Sequence, residues 1–210
     1  MTRSRYLRVI VFASPGVALA VLGATHPAQL TYTSSAHWTV MHVIGLFVFP
    51  LVGAALVGLV WGRRDPVAVG VGVAAYLYAT AYSALDLIAG VAAGFVTYQA
   101  GPDARQPAAV GDLFDVGNQL GELGVWAFLT AAALVSVDQV RRHRIRALAP
   151  ALLLVGAGIS FLDSHIYPWS GVVTVLVIGL ATGWFAALSG PRQRSQKSRA
   201  DGSSIPRSAL

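Results

Sequence analysis

The chain has no cysteine, one lysine and two methionines in 210 residues. The missing cysteine excludes disulfides, thiolate metal sites and cysteine nucleophiles, and it leaves the redox compartment undetermined. Charge is scarce too. Only 11% of residues are Asp, Glu, Lys or Arg, against about 25% in a soluble domain. HExxH, Walker A, GxSxG and the Rossmann fingerprint are all absent, so no motif names a reaction. Apolar residues make up 55% of the chain, and the mean hydropathy is +0.63. The length suits one domain. The net charge of +6 first suggests a nucleic-acid partner. Its placement excludes one, because the basic residues sit in short clusters beside apolar runs, as the positive-inside rule describes.

Threading the apolar runs through a bilayer predicts an all-α polytopic membrane protein, a six-transmembrane-helix bundle with both termini cytoplasmic. A span needs about 20 apolar residues. The six runs are 9–25, 38–61, 67–96, 112–137, 147–166 and 171–188. Asp65-Pro66 reads as an N-cap followed by proline in the first turn of the third. Fourteen of the 15 basic residues then face the cytoplasm, and only Arg105 does not. The first run also resembles a signal peptide, with a basic n-region and an apolar h-region. No small-x-small site follows it, and keeping it as a span preserves the charge rule. Residues 1–190 form the membrane domain in this reading. Residues 191–210 form a polar, basic cytoplasmic tail expected to be disordered. The expected location is the plasma membrane.

The fourth span carries the most specific local pattern. Asp112, Asp115, Asn118, Gln119 and Glu122 project within an arc of about 120° on a helix. Gly117, Gly121 and Gly124 lie on the opposite face, where small residues let another helix approach closely. Glu122 lies ten residues beyond Asp112, about 15 Å, which places it near mid-bilayer. A carboxylate there is costly, so it must be neutral, paired or beside a wet cavity. No Lys or Arg lies within any span to pair with it.

Other acids and histidines map to the same leaflet. Asp86 lies in the third span, with Tyr82 one turn before it. Asp163 and His165 form an Asp-x-His pair at the end of the fifth. Residues two apart on a helix diverge by about 200°, so both reach one site only if the helix ends there, as Pro168 suggests. His37 and His42 sit near the start of the second span, and His26 ends the first. A bland bundle has no reason to sort its costly groups this way.

Three functional classes fit. The first is an intramembrane enzyme acting on a lipid or isoprenoid-like substrate. Its catalytic candidates are Glu122, Asp115, Asp86 and Asp163. Its metal-ligand candidates are His37, His42, His165 and Asp163. Imidazole and carboxylate suit a divalent Zn, Mn or Fe ion. The second is a proton- or cation-coupled permease, which would need a homodimer to build a path. The third is a haem-binding, sensory or structural subunit, with His42 and His165 as axial ligands. The bilayer is the partner common to all three.

Overall fold

A computed structural model describes residues 3–189. Among them the regular structure is entirely helical. Helix α1 spans Arg3–Ala24 and α2 spans Tyr32–Leu59. Thr31 caps α2 in a reciprocal capping box with Ser34, which satisfies two otherwise orphaned amides. Helix α3, Pro66–Leu85, starts at the Asp65 cap, whose carboxylate accepts from the Ala68 amide at 3.2 Å. It runs without a break through a π-helical stretch, Asp86–Ala92, into α4, Ala93–Ala100. Helix α5, Ala108–His143, is followed by a 3-10 turn at Arg144–Ala147, then α6, Leu148–Asp163, and α7, Trp169–Leu188.

Five helical stretches are long and apolar enough to cross a membrane: 3–24, 32–59, 66–100, 108–163 and 169–188. The fourth is not one rod. Arg144 adopts φ 55° and ψ −136°, a positive-φ conformation that interrupts the helix. Helix α6 then packs back on α5: the Phe128 and Phe161 rings meet edge to face at 5.8 Å, and Gly158 sits against Leu129. By itself α6 has 16 residues. Large apolar side chains cover the flanks of the bundle, with Phe47 71% and Leu152 74% exposed. A soluble protein rarely exposes so much contiguous apolar surface.

The two ends of the bundle differ chemically. At one end Arg63 joins Asp65 and Asp138, both at 2.7 Å, and Arg142 joins Asp138 at 2.9 Å. Arg8 at that end donates to the Ser189 carbonyl at 2.8 Å, so α1 and α7 lie antiparallel. Glycines 16 and 179 press those two helices together, and any Cβ at either would strike the other backbone. The expected glycine face of α5 packs on α3 and the π-helical stretch, with Gly117 against Ala89, Gly121 against Leu85 and Gly124 against Tyr82. The tail from residue 191 lies outside the described residues.

Candidate metal centre

Three polar side chains meet in the half of the bundle opposite the ion pairs. Measured from the basic end, His42 lies 17 residues from Leu59, the last residue of α2, and Asp86 lies 20 residues from Pro66, the first of α3. They are about 26 Å and 30 Å up their helices. His165 follows the end of α6 in the irregular segment 164–168, which lets it turn inward. One ligand atom from each of His42, Asp86 and His165 lies within 4.8 Å of the other two. Ligand atoms around a zinc ion lie about 3.4 Å apart, as bond lengths near 2.1 Å require. Closing the set therefore needs movement of about 1 Å.

The hydrogen bonds leave the right atoms free. The His42 Nδ1–H donates to the Trp38 carbonyl at 2.7 Å, one turn back on α2. That fixes the neutral tautomer in which Nε2 carries the lone pair. The His165 Nδ1 lies 3.2 Å from the Tyr82 hydroxyl. Its Nε2 is buried with no partner, and so is Asp86 Oδ2. Buried polar atoms are almost always satisfied. An orphaned carboxylate oxygen and an orphaned imidazole nitrogen, beside the free lone pair of His42, are groups that a cation would satisfy.

Helix packing holds these groups in place by a reciprocal fit. The His42 ring lies over Gly90, and the Asp86 carboxylate lies over Gly45, so a Cβ at either glycine would occupy the same space. Thus α2 contributes a ligand and a glycine three residues later. The π-helical stretch contributes a ligand and a glycine four residues later. Such stretches are rare and concentrate at functional sites.

His42 and His165 also line a cavity of about 640 Å³. Asp86 is not among the residues that line it. Glu122 and Asp163 line the same cavity and are exposed. The end of α6 at Asp163 brings both members of the Asp-x-His pair to one space. Asn118 and Trp126 share the Glu122 face of α5 and line it too. Glu122 lies 19 residues from Arg141, about 28 Å. Along α5 it stands 14 residues from Ala108 and 21 from His143.

Other candidates lie elsewhere. Asp112 and Asp115 are exposed and outside the cavity lining. His37 is on α2 five residues before His42, and its Nε2 pairs with the Thr25 carbonyl at 2.8 Å. At 100° per residue the two rings point about 140° apart. His26 lines the cavity, with Nδ1 on the Pro27 carbonyl at 2.7 Å and its ring stacked on Tyr167 at 5.1 Å.

No protein-family model, curated protein or solved structure matches this chain. The chemistry of the site therefore carries the functional argument alone. What stands is a membrane-like helical protein with a His/Asp/His cluster that could hold a metal ion.

Proposed function

We propose that this chain is an intramembrane, metal-dependent enzyme acting on a lipid-like substrate. The observation that carries the reading is the convergence of His42, Asp86 and His165, with Asp86 Oδ2 and His165 Nε2 buried and unpartnered. Two imidazoles and one carboxylate suit Zn²⁺, Mn²⁺ or non-haem Fe²⁺ and leave coordination positions open. A bound ion would polarise a water or a substrate oxygen there. Glu122 and Asp163 are the carboxylates on the cavity wall available for proton transfer. The Tyr82 hydroxyl, paired with His165, would orient that ring.

Six spans with both termini cytoplasmic, in the plasma membrane, complete the proposal. Support comes from the α5–α6 reversal at Arg144, the antiparallel pair α1–α7 and the basic character of one end. The metal cluster then lies at the outer boundary of the hydrocarbon, within reach of a lipid headgroup.

A permease needs a path to the other side. Beneath this cavity Phe49, Tyr78, Phe128 and Phe161 are buried together, and their rings contact one another or Tyr82. That aromatic floor favours an enzyme. Haem between His42 and His165 would have to displace Asp86, which is within 4.8 Å of both.

The test is elemental analysis of protein purified in detergent, followed by cobalt substitution. The expected result is about one divalent ion per chain, with a visible Co²⁺ spectrum. Both should be lost in His42→Ala and in His165→Ala. A wild-type protein that takes up no Zn, Mn, Fe or Co would overturn the metal reading.

A further inference from the structure

The cavity beside the metal cluster has walls of a distinctive kind. Six aromatic side chains line it: Trp38, Tyr82, Phe114, Trp126, Phe161 and Tyr167. Two carboxylates, Glu122 and Asp163, stand among them, and the lining contains no Lys or Arg. In the described structure both carboxylates are free of ion pairs, since Asp65 and Asp138 are the only acids so engaged. His165 adds a buried, unpartnered Nε2 to the same space.

The surroundings reinforce this sign of charge. That end of the bundle carries Asp86, Asp103, Asp112, Asp115, Glu122 and Asp163, and one basic residue, Arg105. Carboxylates within a cleft of low-dielectric walls focus a negative potential and concentrate cations. Aromatic faces add attraction for a positive nitrogen, most of all tryptophan faces. At the wall formed by Glu122 and Asp163, away from the metal cluster, a phosphate or carboxylate head would meet repulsion from both acids and no Lys or Arg. Trp126 is 53% exposed and Glu122 is exposed one turn before it, so the cavity opens sideways through the flank of α5. Leu85, Ala89, Val125 and Leu162 supply apolar lining further in.

We infer that the cavity selects an amphiphile whose head carries a positive nitrogen, an alkylamine or alkylammonium, entering from the membrane. This deepens the proposed function, because it takes the cavity to be the substrate site. It does not require the metal. The head would lie between Glu122, Asp163 and the Trp126 face, and the chain would leave along the flank.

Dodecyl maltoside micelles containing the full chain allow a direct test. Dodecyltrimethylammonium, dodecanol and dodecyl sulfonate are each titrated by mole fraction, with tryptophan fluorescence as the readout. The cation should saturate the signal at about tenfold lower mole fraction than the alcohol, and the sulfonate should not bind. The Glu122→Gln, Asp163→Asn double variant should erase the preference and leave the alcohol unchanged. Trp126→Leu, which keeps both acids, should weaken cation binding about two- to fivefold. Wild-type protein in chelator should keep the preference, so loss of metal and loss of cation selection are read separately. Equal binding of the three probes, or preference for the sulfonate, would overturn the inference. Tetramethylammonium binding as tightly as the tailed cation would overturn the membrane source of the ligand.

Discussion

Replacing Asp86 with leucine should stabilise the metal-free protein and abolish the stabilisation that metal gives. Asp86 is 1% exposed, and its Oδ2 has no partner. An unsatisfied buried polar group costs about 1–3 kcal/mol. Leucine has nearly the same shape, so it removes that cost without opening a cavity and still fits over Gly45. At about 2–4 °C per kcal/mol for a chain of this size, the melting temperature in chelator should rise by roughly 2–12 °C. The opposite change is expected with metal present. An ion held at a thousandfold excess over its dissociation constant stabilises the native state by about 4 kcal/mol, which exceeds the gain from leucine. The assay is thermal unfolding in detergent, with chelator and with excess Zn²⁺ or Mn²⁺. The expected order is wild type with metal, then Asp86→Leu in either condition, then wild type in chelator. A variant less stable than wild type in chelator would refute the orphaned-carboxylate reasoning. A wild type indifferent to chelator and to added metal would refute the metal.

The remaining predictions concern packing, charge and topology. Gly90→Ala should cost about 1–3 kcal/mol by overpacking against the His42 ring and should lower metal occupancy. Gly72→Ala, where nothing lies within 4 Å of the added methyl, should be neutral or slightly stabilising; equal effects at the two sites would count against the interlock. The hydrogen bond from Arg63 holds the Asp65 carboxyl below the usual carboxylate range. Its contribution is therefore present above about pH 4 and fades as the pH falls below it. Arg63→Ala should accordingly lose less thermal stability than wild type between about pH 5 and pH 3. With no native cysteine, single cysteines at Ser34 or Asp103 should react with an impermeant thiol reagent in intact cells, and one at Ser198 should not. Labelling at Ser198, or protection at both outer positions, would reverse the topology. Once a turnover assay exists, Glu122→Gln should abolish activity with little loss of folded protein; normal turnover by the Glu122→Gln, Asp163→Asn pair would leave a structural role.

How much of this was legible in the sequence depends on the distance over which each feature is determined. Caps and spans are local. Asp65-Pro66 announces the start of α3 because the carboxylate and the missing amide act within one turn. The glycine face of α5 follows from periodicity alone, although its partner residues Ala89, Leu85 and Tyr82 do not. The site was legible as a list but not as a set of roles. His42, Asp86 and His165 were all candidates, with Asp86 read as catalytic and Asp163 as both catalytic and a ligand. Which of these side chains meet depends on how α2, the π-helical stretch and the segment after α6 pack, which no local pattern encodes. His37 could be separated from His42 only by knowing that α2 begins at Tyr32, so that both residues lie on one helix and diverge. A faint signal did exist for the interlock. Each buried ligand on a helix has a glycine within the next turn, Gly45 after His42 and Gly90 after Asp86.

The π-helical stretch is the feature that ties the fold to the proposed chemistry. A helix with i→i+5 bonds departs from the α spacing, so Asp86 and Gly90 acquire a relation that a plain α-helix would not give them. Tyr78, Tyr82 and Asp86 follow one another at four-residue intervals down the same face. The two tyrosines close the floor while the carboxylate reaches the cluster. The stretch begins at Asp86 itself, where the chain changes from building core to building a site. Tyr82 stands at the junction, with its ring against Phe49 and Phe161 and its hydroxyl on His165. A permease would have to break that junction to connect the cavity with the basic end, separating buried aromatic rings from three helices at once. An enzyme needs it intact, because the same contacts that seal the floor also aim the His165 ring.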